Sequence, residues 1–409
     1  MSNDFTSTSE QLSPRDRRAA VDRRVFIVAL VVMLCYAAML TGGFLQHLWI
    51  MDVAGHPVVN DFVVFWVAAH LALKGAALSA YNASAEHAAE LAAIGHGYRQ
   101  VLGWSYPPLF LMVVTLPARL PYVTAFIAWG VVTLALYAST VAAVAERYVA
   151  FMVACALPWA LVELILGQNG FLTAAVIGLA LLHLETRPIV SGMLLGFLSY
   201  KPQFGILFPL ALAAGGYWRA FGWAAVGTLA WNGLAGAIFG FDSYLAFLHA
   251  LSTAADTHLV RSDLGWNKLQ SIYGFARVLG VPAVAAWSMQ ALISASAALG
   301  VVFCWRSRNT PFALKAAFLA TAILLATPYV LYYDVPVLAI AGAFLFRERS
   351  FDRFELALMA AVTPFLFAPF LPGFASVPGA LMATAVMGML TVRRLQALPH
   401  ERVDFAFAG

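Results

Sequence analysis

Charge is what this chain has least of. Only 11% of its 409 residues are Asp, Glu, Lys or Arg, against roughly a quarter in ordinary soluble domains. A water-facing surface cannot be tiled from so few charges, so a soluble globular fold is excluded. Cysteine is scarce as well. Cys35, Cys155 and Cys304 all stand inside apolar runs, where a thiol behaves as a small hydrophobe, which leaves no disulfide framework and no zinc-type spacing. No Gly-rich phosphate loop and no nucleophile elbow occurs, which disfavours a nucleotide-hydrolysing pump. The net charge of +4 is spread over basic residues that sit between apolar runs rather than in one patch, so nucleic acid is not an expected partner.

What the chain does have is apolar length. Hydrophobic residues make up 62%, and uncharged runs cover 25–51, 120–145, 164–184, 220–241, 278–305 and 356–392. About 20 apolar residues cross a bilayer as a helix, so these runs read as spans in contact with membrane lipids. The first run follows Arg15, Arg17, Arg18, Arg23 and Arg24 in the manner of a secretory signal. It is too long for one and lacks a small-residue cleavage site, so it reads as a retained anchor.

The expectation is an all-α polytopic bundle. Residues 1–20 form a disordered cytoplasmic tail, 21–395 the transmembrane domain and 396–409 a second cytoplasmic tail. Thirteen apolar segments can be drawn, while the distribution of Lys and Arg, with Arg119, Arg347 and Arg394 on the inside, puts both termini in the cytoplasm. Crossings must then be even in number, about 12, with the surplus segment expected between 121 and 170. Arg147 finds no place in this scheme. Two polar segments, 49–106 and 241–281, are left outside, the first with short surface helices near 62–74 and 85–98.

Those segments and the span ends hold the residues with chemistry. Asp61, in Asn60-Asp61-Phe62, stands at a helix start among aromatic rings. A carboxylate there has the makings of a general base, and equally of an N-cap. Lys201, in Ser199-Tyr200-Lys201-Pro202-Gln203, ends an apolar run of only about 13 residues, roughly 20 Å of helix against a hydrocarbon core of roughly 30 Å. A cation at that depth faces a cavity or an anion such as a lipid phosphate, or else snorkels to the interface.

Gln168 and Asn169 make a polar break in Gly167-Gln168-Asn169-Gly170 that also reads as a simple turn. Tyr106-Pro107-Pro108 and the stretch from Pro328 through Tyr332, Tyr333 and Asp334 mark helix ends of ordinary interfacial composition. Arg261 and Lys268 add cations in 241–281. His87 and Glu90 have a spacing that metal sites use, but one such pair more often lies on a solvated face. Gly192 with Gly196 reads as a helix-packing contact. Nothing demands a metal or a cofactor.

The order of these motifs is recognisable: Asp61-Phe62 with Phe65-Trp66 and Ala69, then Gly75 and Tyr81-Asn82, Tyr106-Pro107-Pro108, Leu116-Pro117 with Leu120-Pro121, Gly167-Gln168, Lys201-Pro202, Trp218-Arg219, and Thr327-Pro328 through Tyr333-Asp334. Together they resemble glycosyltransferase family 87, membrane enzymes of the GT-C architecture. The resemblance implies an inverting hexosyltransferase, often a mannosyltransferase, that uses a polyprenyl-phosphate sugar on the outer side of a bacterial plasma membrane and glycosylates a lipid or glycan acceptor. It implies that Asp61 is the catalytic base and that Lys201 contacts the donor phosphate; Arg261 or Lys268 would help Lys201 with the leaving phosphate, and Gln168, Tyr106, Tyr333 and Asp334 are further candidates for substrate contact. Mycobacterial members carry histidines near the late Pro motif, where this chain has Tyr332, Tyr333 and Asp334. Two other readings stand beside it. A transporter or lipid flippase would also use an intramembrane lysine and broken helices, and an envelope-assembly subunit would use Asp61 only as a cap.

Overall fold

The computed structural model describes residues 14–95, 103–255, 265–368, 371 and 373–398. Among these there is no strand, only an isolated bridge between Met51 and Pro57. The first helix, α1 (Pro14–Leu45), takes in residues 14–20, which composition assigned to the tail. Pro14 suits the first turn because its missing N–H has no partner to lose there.

Short helices follow: α2 (Asp61–Leu73), α3 (Ala83–Ile94) and α4 (Pro108–Val114). Next come the long α5 (Tyr122–Ala145), the pair α6 (Val149–Ala156) and α7 (Pro158–Leu166), and α8 (Gly170–His183). The second half holds α9 (Pro188–Phe197), α10 (Pro202–Gly205), α11 (Phe208–Ala214), α12 (Trp218–Phe239), α13 (Asp242–Ala255) and α14 (Ile272–Val278). It closes with α15 (Ala283–Arg306), α16 (Phe312–Ala326), α17 (Val337–Glu348), α18 (Arg353–Phe367) and α19 (Gly379–Gln396). The core lies where α8, α16 and α17 pack together, each lined with fully buried aliphatic residues. By contrast α1 stands at the periphery, with only 6% of its apolar window buried, as a helix that faces lipid does.

Three helices are long and apolar enough to cross a bilayer alone: Ala19–Leu45 of α1, α5 and α15. Two more candidates are bent pairs, α6 with α7 at 61° and α12 with the first twelve residues of α13 at 102°. Length and composition therefore support three to five spans among the described residues, while α8, α9 and α16 fall short of the roughly 20 residues a straight crossing needs.

Ion pairs define one end of the molecule. Arg147, just past α5, holds Asp22 of α1 at 2.6 Å, and Arg347 of α17 holds Glu146 at 2.8 Å. Arg394 of α19 is nearly fully buried and joins Glu355 of α18 at 2.7 Å and Glu348 of α17 at 3.1 Å. The start of α1 and the end of α19 thus lie on one face, which accounts for Arg147.

The other end of α5 meets Asp61's neighbourhood, where the Tyr122 hydroxyl donates to Asn60 Oδ1 at 3.1 Å. Arg119 sits here, in the 3₁₀ turn Pro117–Arg119 and three residues before α5 begins, and so at the end away from the ion pairs. This corrects its expected grouping with Arg347 and Arg394. The reason is that α4 has seven residues and does not cross: Tyr106 before it and Leu120 after it both touch the Asp61 end, the latter accepting from Trp66 Nε1 at 3.5 Å. Segment 107–118, drawn as a span from its composition, is therefore a short helix that turns back. Between 121 and 170, where the surplus segment was expected, α5 and the bent α6–α7 pair both pass the length and composition test.

Candidate active site

Asp61 is not the cap of its helix, because its neighbour does the capping. Asn60 is the N-cap of α2, its Oδ1 accepting from the Val63 N–H at 3.2 Å, and Asp61 is the first helical residue. The exposed amides of the helix start favour a negative charge at this position. Asp61 is half-buried, and Gln168 Nε2 donates to its Oδ2 at 3.1 Å. Burial pushes the carboxyl above the usual Asp range, against the opposing pull of the Gln168 hydrogen bond and the positive charge of Lys268.

Gln168 is fixed on every side. The Tyr106 hydroxyl and the Asn169 N–H both donate to its Oε1, at 3.2 Å each, and Trp129 Nε1 donates to its carbonyl at 3.0 Å. The turn that carries it depends on Gly167, which ends α7 at φ 68°; a Cβ there would stand 2.7 Å from Phe62 Cβ and 2.9 Å from the Phe126 ring. Tyr106 itself is wedged among Phe65, Trp104 and Phe110.

The next residue in the turn reaches the lysine. Lys201 Nζ donates to Asn169 Oδ1 at 2.8 Å and to Asp334 Oδ1 at 2.5 Å. Lys201 is 3% exposed and Asp334 1%. The ammonium also lies over the rings of Phe204 and Tyr333, 4.9 and 5.2 Å from their centroids. Asp334 Oδ2 accepts from the Leu331 N–H at 2.8 Å, which locks the 3₁₀ turn Tyr332–Asp334. Residues 133 apart in sequence are thereby joined at the foot of α8.

Of the sequence candidates, Asp61, Gln168, Tyr106, Lys201, Tyr333 and Asp334 come together in one continuous network. Lys268 is exposed, on the turn Trp266–Lys268, and acts on Asp61 through charge. Arg261 lies outside the described residues. Asn169, first read only as part of a turn, is the link between the two halves. Glu163 of α7 was missed altogether: it is 2% exposed and sits beside Gly170. Its signal was available, since an acid inside an apolar run is costly to bury and needs a partner.

His87 and Glu90 do meet, at 3.5 Å, on α3. Among the described residues no group of three or more His, Cys, Asp or Glu converges on a point where a metal ion could sit. Asn82, in the sequon Asn82-Ala83-Ser84, caps α3 by accepting from Ala85 N–H at 3.0 Å. Gly192 and Gly196 pack directly on the backbone of α12 at Ala220 and Gly227.

Long apolar helices around a buried network of carboxylates, amides and one lysine define a membrane protein built for polar chemistry. Residues 104–328 match the model of glycosyltransferase family 87, and the chain belongs to that family: it is a glycosyltransferase. The match includes Tyr106, Glu163, Gln168, Asn169, Lys201 and Lys268, and ends short of Asp61 on one side and Tyr333 and Asp334 on the other. No curated protein and no solved structure matches the chain.

Proposed function

We propose that this glycosyltransferase is an inverting hexosyltransferase of GT-C architecture that takes its sugar, a hexose such as mannose, from a polyprenyl-phosphate carrier and passes it to a lipid or glycan of the cell envelope. The observation that carries the reading is the Asp61–Gln168–Asn169–Lys201 chain of contacts, which sets a carboxylate and a cation on the two sides of one turn. Family membership favours group transfer over carriage of a lipid across the membrane.

Asp61 accepts the proton of the acceptor hydroxyl as that oxygen attacks the anomeric carbon. The bond from that carbon to the phosphate oxygen breaks on the opposite face, its electron pair leaves with the phosphate, and the configuration inverts. An ammonium has three donors, of which Lys201 spends two on Asn169 and Asp334; the third serves the departing phosphate, where charge grows in the transition state. Lys268 and Arg261 add positive charge from 241–281, and Tyr106 and Tyr333 wall the sugar. The donor's polyprenyl tail stays in lipid.

The ion-paired end, rich in arginine, is read as cytoplasmic. Asp61, at the far end of α5, then faces outward from a bacterial plasma membrane. Both described chain ends fall on the cytoplasmic face, which suits an even number of crossings. About 12 would be reached if short helices in series, such as α10 with α11, complete the spans that no single helix provides.

The test is transfer from a radiolabelled polyprenyl-phosphate hexose to an envelope lipid extract by protein in nanodiscs. Asp61→Asn is expected to lower kcat by about 10²–10⁴-fold with its melting temperature unchanged. Full activity of the folded Asp61→Asn protein sinks the mechanism.

A further inference from the structure

Glu163 is a third carboxyl group in the neighbourhood of Asp61 and Asp334, and Lys201 is the single buried cation that faces them among the described residues. One lysine already bound to Asp334 at 2.5 Å leaves Glu163, which is 2% exposed, without a counter-ion of its own among the described residues. The place where charge is absent is set by Gly170. A Cβ at that position would overlap both the Tyr333 carbonyl oxygen and Glu163 Oε1, so those two oxygens are in mutual contact, no more than about 3.5 Å apart. A carbonyl oxygen only accepts. Two acceptors in contact repel each other unless one carries a proton, and Glu163 is the one that can. The Gly170 N–H at the start of α8 points at the Glu163 carboxyl group, and no other donor is hydrogen-bonded to it among the described residues.

We propose that Glu163 is a positioning residue for sugar transfer: it is held as the neutral acid and donates its Oε1 proton to the Tyr333 carbonyl, clamping the turn that delivers Asp334 to Lys201. The clamp ties two parts of the site that are distant in sequence. The backbone carbonyl of Glu163 accepts from the Gly167 N–H at 2.8 Å and so holds the turn of Gln168 and Asn169, while its side chain holds the turn Tyr332–Asp334. Glu163 thereby fixes both partners of the lysine, Asn169 through the main chain and Asp334 through Tyr333. Its effect on transfer rests on the mechanism proposed above, whereas its protonation does not.

Two variants separate the possibilities. Glu163→Gln keeps a donor for the Tyr333 carbonyl, and Glu163→Leu keeps the approximate volume without one. Infrared difference spectroscopy of wild type against Glu163→Gln in nanodiscs is expected to show loss of one protonated carboxylic acid band. In the transfer assay Glu163→Gln is expected to stay within about threefold of wild-type kcat, and folded Glu163→Leu to lose on the order of tenfold or more, the scale of one buried hydrogen bond left unmade. The idea is overturned if the difference spectrum shows loss of an ionised carboxylate band in place of the acid band, or if Glu163→Gln is as impaired as Glu163→Leu. Should the wild type transfer no sugar at all, the hexosyltransferase reading fails, and the infrared comparison still decides the state of Glu163. Should Glu163→Leu not fold, the spectrum and the Glu163→Gln activity decide it.

Discussion

Removing the charge of Asp334 tests how much of the site's order rests on one ion pair. At 2.5 Å and an effective dielectric of about 20, the attraction between Lys201 and Asp334 is about 7 kcal/mol. Desolvation of both groups offsets most of that, and measured losses on deleting one partner of a buried pair are about 3–5 kcal/mol. Asp334→Asn leaves the Lys201 ammonium with Asn169 and two ring faces but no counter-ion. Spread over the unfolding entropy of a chain of 409 residues, such a loss lowers the melting temperature by about 5 °C.

The double variant Lys201→Met with Asp334→Leu replaces the pair by apolar side chains and is expected to recover most of that stability. It is also expected to remain inactive in hexose transfer, because the cation for the leaving phosphate is gone. Both quantities come from nanodisc preparations, one by tryptophan fluorescence during heating and the other by the radiolabel assay. An Asp334→Asn protein that melts with the wild type would refute the energetic argument. A double variant that transfers sugar at the wild-type rate would remove Lys201 from the chemistry.

Three further outcomes are expected. Burial raises the Asp61 carboxyl, so activity falls as pH drops through that raised value; Gln168→Leu removes a hydrogen bond that opposes the rise and should move the acidic limb of the pH–rate profile to higher pH. An unmoved limb would disconnect Gln168 from the base. In α3, burial and the adjacent Glu90 push the Glu86 carboxyl up to about 9. An acid whose folded value lies above its unfolded one stabilises fully below the unfolded value and loses that contribution as pH climbs through the folded one. Glu86→Gln should therefore flatten the decline of stability between about pH 4.5 and 9, with a gain on the order of 3 kcal/mol near pH 7, and parallel melting curves against pH for the two proteins would contradict it. Gly167→Ala forces a left-handed backbone onto a residue with Cβ and presses it into Phe62 and Phe126; a loss of about 1–3 kcal/mol is expected, read as a lower melting temperature.

Apolar length alone made the helical membrane fold legible, because a run such as 120–145 has no other use in a chain with so little charge. Crossing number was less accessible. Segment 107–118 is as apolar as a span, and only its contacts, Tyr106 with Gln168 and Leu120 with Trp66, reveal that it turns back. Asp61 and Lys201 could be picked out singly, since a charge at a span end costs energy that function must justify. The partner of Lys201 could not, because no periodicity connects residue 201 to residue 334. Asp61 as cap or base was undecidable from spacing, as Asn60 is an equally good N-cap and only coordinates reveal which of the two accepts the amide. Glu163 escaped notice inside a run that looked uniformly greasy.

One backbone turn, Gly167 to Gly170, sends successive side chains in opposite directions, Gln168 toward Asp61 and Asn169 toward Lys201. In mechanical terms it is a rigid yoke. Any shift of that turn carries the partners of Asp61 and of Lys201 together, so under the proposed mechanism the base and the cation keep their spacing.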